Sequence, residues 1–355
     1  MASHLASAPM PGRPAGQRNK DRAPATPSAQ QTPPNQPYAA IDLGTNNCRL
    51  LIARPTNGGF TVVDAFSRIV RLGEGLASSG RLTDEAMDRA VEALGVCADK
   101  LRRRRVGLAR SVATEACRRA ANGRDFIERV REETGIVLEI IPPQEEARLA
   151  VLGCHKLLEP GDGPALIFDI GGGSTELVLV EPGGEDSQPR IKAWWSAPWG
   201  VVSLTESEGR AAIEGPDRVS AYNRMRTRAS RAFDRFTELL PERTDNIRLL
   251  GTSGTVTTLA SVHLALPSYD RRAVDGLHVP IDAMRDISTR IAEMDFQGRA
   301  ALPCIGSERA DLVVAGCAIL EAILDIWPAA HLGIADRGIR EGILRSLMAR
   351  DGHVL

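Results

Sequence analysis

Two short stretches of the chain carry the residue types that handle phosphate. Ile41-Asp-Leu-Gly-Thr-Asn-Asn47 and Phe168-Asp-Ile-Gly-Gly-Gly-Ser-Thr-Glu-Leu177 each set an aspartate at a strand end beside a glycine turn. Glycines let backbone N–H groups approach an anion with no side chain in the way, as fixed partial positive charges. Asp42 and Asp169 offer hard oxygen ligands to a cation such as Mg²⁺, which would neutralise phosphate charge and orient the attack. Ser174 and Thr175 add hydroxyl donors. For either turn alone, a tight hairpin that binds nothing is an equal alternative. A second feature, Gln144-Glu-Glu-Ala-Arg148, opens a predicted helix. Adjacent acids there make a good electrostatic cap. The sharper reading is that one of them faces a cleft and orients or deprotonates a water, because phosphoryl transfer asks little beyond a positioned nucleophile and charge stabilisation.

The elements that must position these residues are readable from pattern. Ala39–Ala53 reads as strand, tight turn, strand, and Asn57-Gly58-Gly59 turns into a further β-rich segment, Phe60 to Val70. Thr83 is a plausible N-cap for a helix to about Arg104. A strand at Ser111–Thr114, a helical region from Glu115 to Glu133 that Asn122-Gly123 interrupts or bends, a strand at Ile136–Ile141 and a helix from Glu145 to Leu158 complete a first unit. The second unit opens in the same way at Ala165. Aligned without gaps, Asp42 falls on Asp169, Gly44 on Gly171, Leu50 on Leu177 and Pro55 on Pro182, with Gly183-Gly184 as the next turn. This is an internal repeat of domain size. Two similar lobes, each presenting an acid-and-glycine hairpin, suggest a phosphate cleft between them. Downstream, the pattern predicts a helix over Ser220–Leu240, a strand at Ile247–Leu250, the turn Gly251-Thr-Ser-Gly-Thr255, an apolar helix over Ala310–Trp327, a strand at Leu332–Ala335 and a last helix from Gly338. The domains expected are a lobe over 38–147 and a lobe over 148–355, with the last helix packing back on the first.

Composition narrows the field. The 355 residues suffice for two domains, and 43% hydrophobic with 25% charged residues is ordinary for a soluble globular protein. A formal net charge of −1 gives no global pull toward nucleic acid or membrane, so any positive charge that receives a polyanion must be local. Arg49, at the first hairpin, is better placed for this than the solvated run Arg102–Arg105. The six cysteines are scattered with no CxxC pair, which points to reduced thiols and a cytoplasmic setting. Residues 1–37, rich in Pro, Ala, Ser and Gln, lack the bulky apolar side chains needed to fold and read as a disordered tail. No segment is long and apolar enough to span a bilayer.

Taken together, the two hairpin motifs, Glu145-Glu-Ala-Arg148, Gly251-Thr-Ser-Gly-Thr255 and Asp336-Arg-Gly-Ile-Arg-Glu-Gly342 resemble the exopolyphosphatase/guanosine pentaphosphate phosphohydrolase family, in order and spacing, over almost all of residues 38–350. The resemblance implies an α/β protein of two ribonuclease-H-like domains, the actin-like ATPase superfold, with an interdomain active cleft. It implies a Mg²⁺-dependent hydrolase, with Mn²⁺ as an alternative and a monovalent cation such as K⁺ as an option. By the same analogy Glu146 looks like the catalytic residue that activates water, and Glu176 like a second acid near the water or metal. Asp169 looks like a metal ligand, with Asp42 facing it from the other domain. Gly44, Thr45, Asn46, Arg49, Gly171, Gly172, Gly173, Ser174, Thr175, Ser253 and Gly254 look like phosphate contacts, and Arg118 like a position that helps bind the anionic chain. Where the family's first turn usually reads Gly-Ser-Asn-Ser, this chain has Gly44-Thr-Asn-Asn47, keeping a hydroxyl at Thr45 and losing one at Asn47. The extra C-terminal helical domains of longer members, which by the resemblance hold long polymers and support dimer contacts, are absent after the last predicted helix; a homodimer is one option.

The expected activity is removal of the terminal phosphoryl group of polyphosphate as orthophosphate. Removal of the 5′ γ-phosphate of guanosine pentaphosphate is the rival within the same chemistry, since both substrates end in a linear phosphoanhydride. A sugar kinase would share the phosphate turns but not the water-activating glutamates. A chaperone-like or actin-like nucleotide-binding module would bind ATP without releasing phosphate.

Overall fold

Strands β1 (Tyr38–Leu43), β2 (Asn47–Thr56), β3 (Gly59–Ile69), β4 (Leu108–Ala113) and β5 (Leu138–Ile140) form one sheet in the order β3-β2-β1-β4-β5. The first three are antiparallel neighbours, and β4 and β5 continue in parallel with β1. A second sheet is built from β6 (Ala165–Ile170), β7 (Thr175–Glu181), β8 (Arg190–Ala197), β9 (Arg248–Thr252), β10 (His278–Pro280) and β11 (His331–Ala335), in the order β10-β11-β9-β6-β7-β8. Apart from the edge strand β10, it repeats the first sheet strand for strand, with β6 central and β9 and β11 parallel to it. This is the ribonuclease-H-like topology, present twice. The computed structural model describes residues 36–159, 161, 163–181, 189–240, 248–327 and 329–354. Most of the expected disordered tail, Pro182, the Gly183-Gly184 turn and Ile247 lie outside the described residues.

Each central strand is apolar on both faces because helices cover both. In β1, Ala39, Ile41 and Leu43 enter a core shared with helices Asp84–Arg103 and Gly123–Thr134, while Tyr38 and Ala40 face the last helix, Ile339–Arg350, through Ile343, Leu344 and Leu347. In β6, Leu166, Phe168 and Ile170 meet helices Arg218–Thr237 and Val313–Ile326. Its other face, Ala165 and Ile167, meets Ala147, Val151 and Cys154 of helix Pro143–Cys154. Helix Val313–Ile326 is buried from Val313 through Leu324, which is why its sequence is apolar all round.

Local signals act where expected. Thr83 caps helix Asp84–Arg103, its Oγ1 accepting from the Ala86 N–H at 3.3 Å, and Asp84 and Glu85 stand in the first turn. Pro143 opens its helix at a position where the missing N–H costs nothing. The helical region predicted from Glu115 breaks into Glu115–Arg119 and Gly123–Thr134. Asn122 separates them, its side-chain amide bonding the Leu82 backbone in both directions, at 2.9 and 3.0 Å.

Two helices join the lobes. Pro143–Cys154 and Ile339–Arg350 cross at glycines: a Cβ on Gly153 would stand 2.0 Å from the Gly338 carbonyl oxygen, and one on Gly342 would stand 2.0 Å from that of Leu149. Away from this crossing, Asp311 Oδ2 accepts from Arg71 Nη1 of the first lobe at 2.9 Å and from Arg210 Nη2 of the second at 3.0 Å. The Gly75 N–H also donates across to Glu206 Oε1 at 2.8 Å. Among the described residues no helix is long and apolar enough to cross a membrane.

Candidate active site

The two repeat hairpins close in the same way. The Gly44 N–H donates to the Asn47 carbonyl at 2.9 Å, and the Gly171 N–H to the Ser174 carbonyl at 3.0 Å. In the first hairpin Asp42 pairs across the strands with Arg49; in the second Asp169 pairs with Glu176. The turns touch one another across the lobes. A Cβ on Gly172 would lie 2.9 Å from Thr45 Cβ, and one on Gly173 would lie 2.8 Å from Thr45 Oγ1, so only glycine permits this approach.

One cleft gathers most of the residues that the sequence singles out. Asp42, Gly44, Thr45, Asn46 and Arg49 line it from the first lobe, and Asp169, Gly171, Gly172, Gly173, Ser174 and Glu176 from the second. Glu146 enters from the start of the linking helix, and Ser253 and Gly254 from the turn before helix Gly254–His263. Two residues stand elsewhere. Thr175 is fully buried, its Oγ1 donating to the Trp199 carbonyl at 2.7 Å. Arg118 is not among the lining residues, and four of its five N–H donors are taken: Nε and Nη2 go to Glu115 Oε2 at 3.1 and 2.5 Å, and Nη1 goes to the Ile141 carbonyl at 2.7 Å and Glu146 Oε2 at 3.2 Å. Neither side chain therefore lines the cleft, and protein groups occupy the Thr175 hydroxyl and most of the Arg118 donors.

The electrostatics follow from burial. Glu146 and Glu176 are 6% and 2% exposed. Burial, and then the neighbouring Glu176 carboxylate, push the Glu146 carboxyl well above the usual range, with Arg118 opposing. Glu176 is pushed up to about 7 by burial and then by Asp169, while the Ser174 and Ser196 hydroxyls, donating to its Oε1 at 2.7 and 2.8 Å, pull the other way. Asp169 is raised to about 6 by burial, against the pull of Arg49. Asp42 is raised for the same reason, and its Oδ1 is buried with no hydrogen-bond partner among the described residues. The Arg49 guanidinium is itself pulled down by burial, then by Arg340. Five carboxylates, Asp42, Glu115, Glu146, Asp169 and Glu176, thus share a cleft lined by two guanidiniums, Arg49 and Arg309. Such a site attracts positive charge and keeps a carboxyl near neutrality as a proton acceptor.

Several wall residues were not legible as site residues. Thr114, Glu115, Thr258, Arg309 and Ile339 also line the cleft, and Arg309 Nη1 donates to Thr258 Oγ1 at 3.1 Å. Thr114-Glu115 directly follow β4, the neighbour of β1, and that adjacency was the available signal. Arg309 stands alone in a segment with no motif around it. Ser253 has φ 111° and ψ 175°, a backbone region that is nearly glycine-only, and its Oγ is buried without a partner among the described residues.

Known proteins resemble this chain in sequence and fold. A solved Ppx/GppA family member from Aquifex aeolicus superposes with a TM-score of 0.73 at 28% identity, covering 90% of this chain and 100% of that one. Exopolyphosphatase 2 of Mycobacterium tuberculosis is 31% identical over 322 residues, 87% of this chain and 98% of the relative. A guanosine-5′-triphosphate,3′-diphosphate pyrophosphatase of Photobacterium profundum is 28% identical over 329 residues, 91% of this chain and 62% of the relative. The family model described as Ppx/GppA phosphatase matches residues 51–351, and by that span the chain belongs to the Ppx/GppA phosphatase family.

Proposed function

We propose that this protein hydrolyses the terminal phosphoryl group of inorganic polyphosphate, releasing orthophosphate by in-line attack of water. The observation that carries this reading is the pair of buried glutamates, Glu146 and Glu176, in one cleft with two glycine turns and two aspartates. A kinase needs its water kept out; a hydrolase needs a water positioned beside a base. Glu146, held by Arg118 through Oε2, takes the proton of the attacking water. Glu176, held by two serine hydroxyls, orients that water from the opposite lobe. The backbone N–H groups of Gly172 to Ser174 and of Thr45 and Asn46 grip the terminal phosphates, those of Gly171 and Gly44 being used to close the hairpins, and Arg49 faces the charge that builds on the transferred group.

One or two of Asp42, Asp169 and Glu176 would hold the cation, Mg²⁺ by preference or Mn²⁺, with substrate phosphates and water as its other ligands; K⁺ as a further ion has no residue assigned. The unmet Oδ1 of Asp42 fits such a ligand. Among the described residues no three His, Cys, Asp or Glu gather into a cage. That suits Mg²⁺, which is usually held by one or two carboxylates together with substrate phosphates and water. When bound, the ion neutralises phosphate charge and orients the attack.

The name of the Mycobacterium tuberculosis relative supports polyphosphate, and its match covers nearly all of that protein. Guanosine pentaphosphate is the second reading, favoured by the Photobacterium relative. Six free cysteines, five of them buried, support a cytoplasmic location. The test is orthophosphate release from polyphosphate and from guanosine pentaphosphate, each with Mg²⁺ and with chelator. Release from polyphosphate that chelator abolishes is the expected result. Tight ATP binding with no release from either substrate would end the reading.

A further inference from the structure

Arg118 is held from two sides by carboxylates. Its Nε and Nη2 both reach Glu115 Oε2, and its Nη1 reaches Glu146 Oε2 and the Ile141 carbonyl. A guanidinium presents its donors in a rigid planar fork, so fixing one edge fixes the other. Glu115 therefore sets where Arg118 presents Nη1, and Arg118 in turn sets where Glu146 stands. Glu115 is also seated from the other lobe: a Cβ on Gly173 would lie 2.9 Å from Glu115 Cγ. The same acid thus touches the glycine turn of the second lobe and the arginine that holds the base of the first.

From this geometry we infer that Glu115 is a positioning residue for the hydrolysis, acting through Arg118 on Glu146. The inference rests on the reading of Glu146 as the proton acceptor. Two observations support positioning over a surface ion pair. The side chains of Glu115 and Arg118 are 14% and 19% exposed, so solvent screens the pair weakly. The contacts also form one chain, Glu115 to Arg118 to Glu146, with no exposed member. Arg119, 3.7 Å from Glu115 Oε1 through its Nε, is a looser and more exposed partner.

The test uses the full chain with polyphosphate and Mg²⁺. Glu115→Ala is expected to lower kcat about 10- to 100-fold, the usual scale for losing an outer partner of a site group, with KM within about threefold of wild type. Glu115→Gln keeps an acceptor oxygen in the same place and should recover most of the loss. In an Arg118→Gln background, Glu115→Ala should cost almost nothing further, because the route to Glu146 is already cut. Thermal melting checks that each variant folds, and the isosteric Gln variant keeps the test decisive if Ala does not. Wild-type kcat in both Glu115 variants, or an equal loss with and without Arg118, would overturn the role. A wild-type protein that releases no orthophosphate would overturn the functional reading itself.

Discussion

Arg49 and Glu176 occupy the same place in the two halves of the repeat, each the cross-strand partner of the hairpin aspartate. The shared scaffold thus presents a cation on one wall and an acid on the other, and the difference gives the cleft its direction. Arg49 opposes the burial that raises both Asp42 and Asp169. Arg49→Gln should therefore raise both carboxyls further and move the acid limb of the pH–rate profile upward. It should also lower kcat/KM by about 100-fold, the scale of losing one preorganised charge partner of the reacting group. Steady-state kinetics from pH 5 to 9 check both effects.

Glu146→Gln preserves shape and cannot take a proton. The expected loss is about two orders of magnitude or more in kcat, the usual contribution of a general base. Normal turnover by this variant would reduce Glu146 to a helix cap.

Glu176 predicts a stability effect of opposite sign to its activity effect. Its folded-state value of about 7 lies above the ordinary 4.5, so the folded protein binds its proton more tightly than the unfolded chain. The stability this contributes is fully present below about pH 4.5 and is lost as pH rises through about 7. Glu176→Gln should accordingly melt above wild type at pH 8, with the difference fading at pH 4.5, while losing most activity. Thermal melts at the two pH values decide it.

Ser253 holds a backbone conformation that suits glycine. Ser253→Gly should relieve about 1–3 kcal/mol of strain, offset by up to about 1 kcal/mol of added unfolded-state entropy. A higher denaturation midpoint with a several-fold higher KM for polyphosphate is expected, because a cleft-lining residue loses its hydroxyl. Denaturant titration and Michaelis kinetics measure the two halves.

Gly172→Ala would set a methyl 2.9 Å from Thr45 Cβ and 3.1 Å from the Asn46 nitrogen. Only the meeting of the turns is obstructed, so kcat/KM should fall about 100-fold, the scale of a 1 Å misplacement in a site. The melting temperature should change little.

The parts of the site carried by the repeat were legible because both copies keep the same local chemistry: an aspartate at a strand end, then glycines that close a tight turn. Spacing alone marked Glu146 as one of two acids, since it does not say which side of a helix start faces inward; the family resemblance pointed to Glu146. Burial separates them: Glu145 pairs outward with Arg110 and Arg148, and Glu146 turns in. Arg118 was expected to touch phosphate because the family resemblance implied it. Its position behind Glu115 depends on where the first helical segment stops, and that depends on Asn122 reaching back to Leu82. Arg309 arrives from a distant segment with no motif, so only the folded chain brings it to the wall; Ile339 stands inside the Asp336–Gly342 motif, but nothing in that motif marked it as a wall residue.

The paired glycines Gly153 and Gly342 press two helices together almost backbone to backbone. Rods in such intimate contact can roll about their crossing but cannot slide without collision, so that point is the natural pivot of the molecule. Glu146 sits one to two turns along the same helix, on a short lever arm. Swinging the lobes apart would then displace the distant turns far more than Glu146, which would remain nearly in place as the cleft opened.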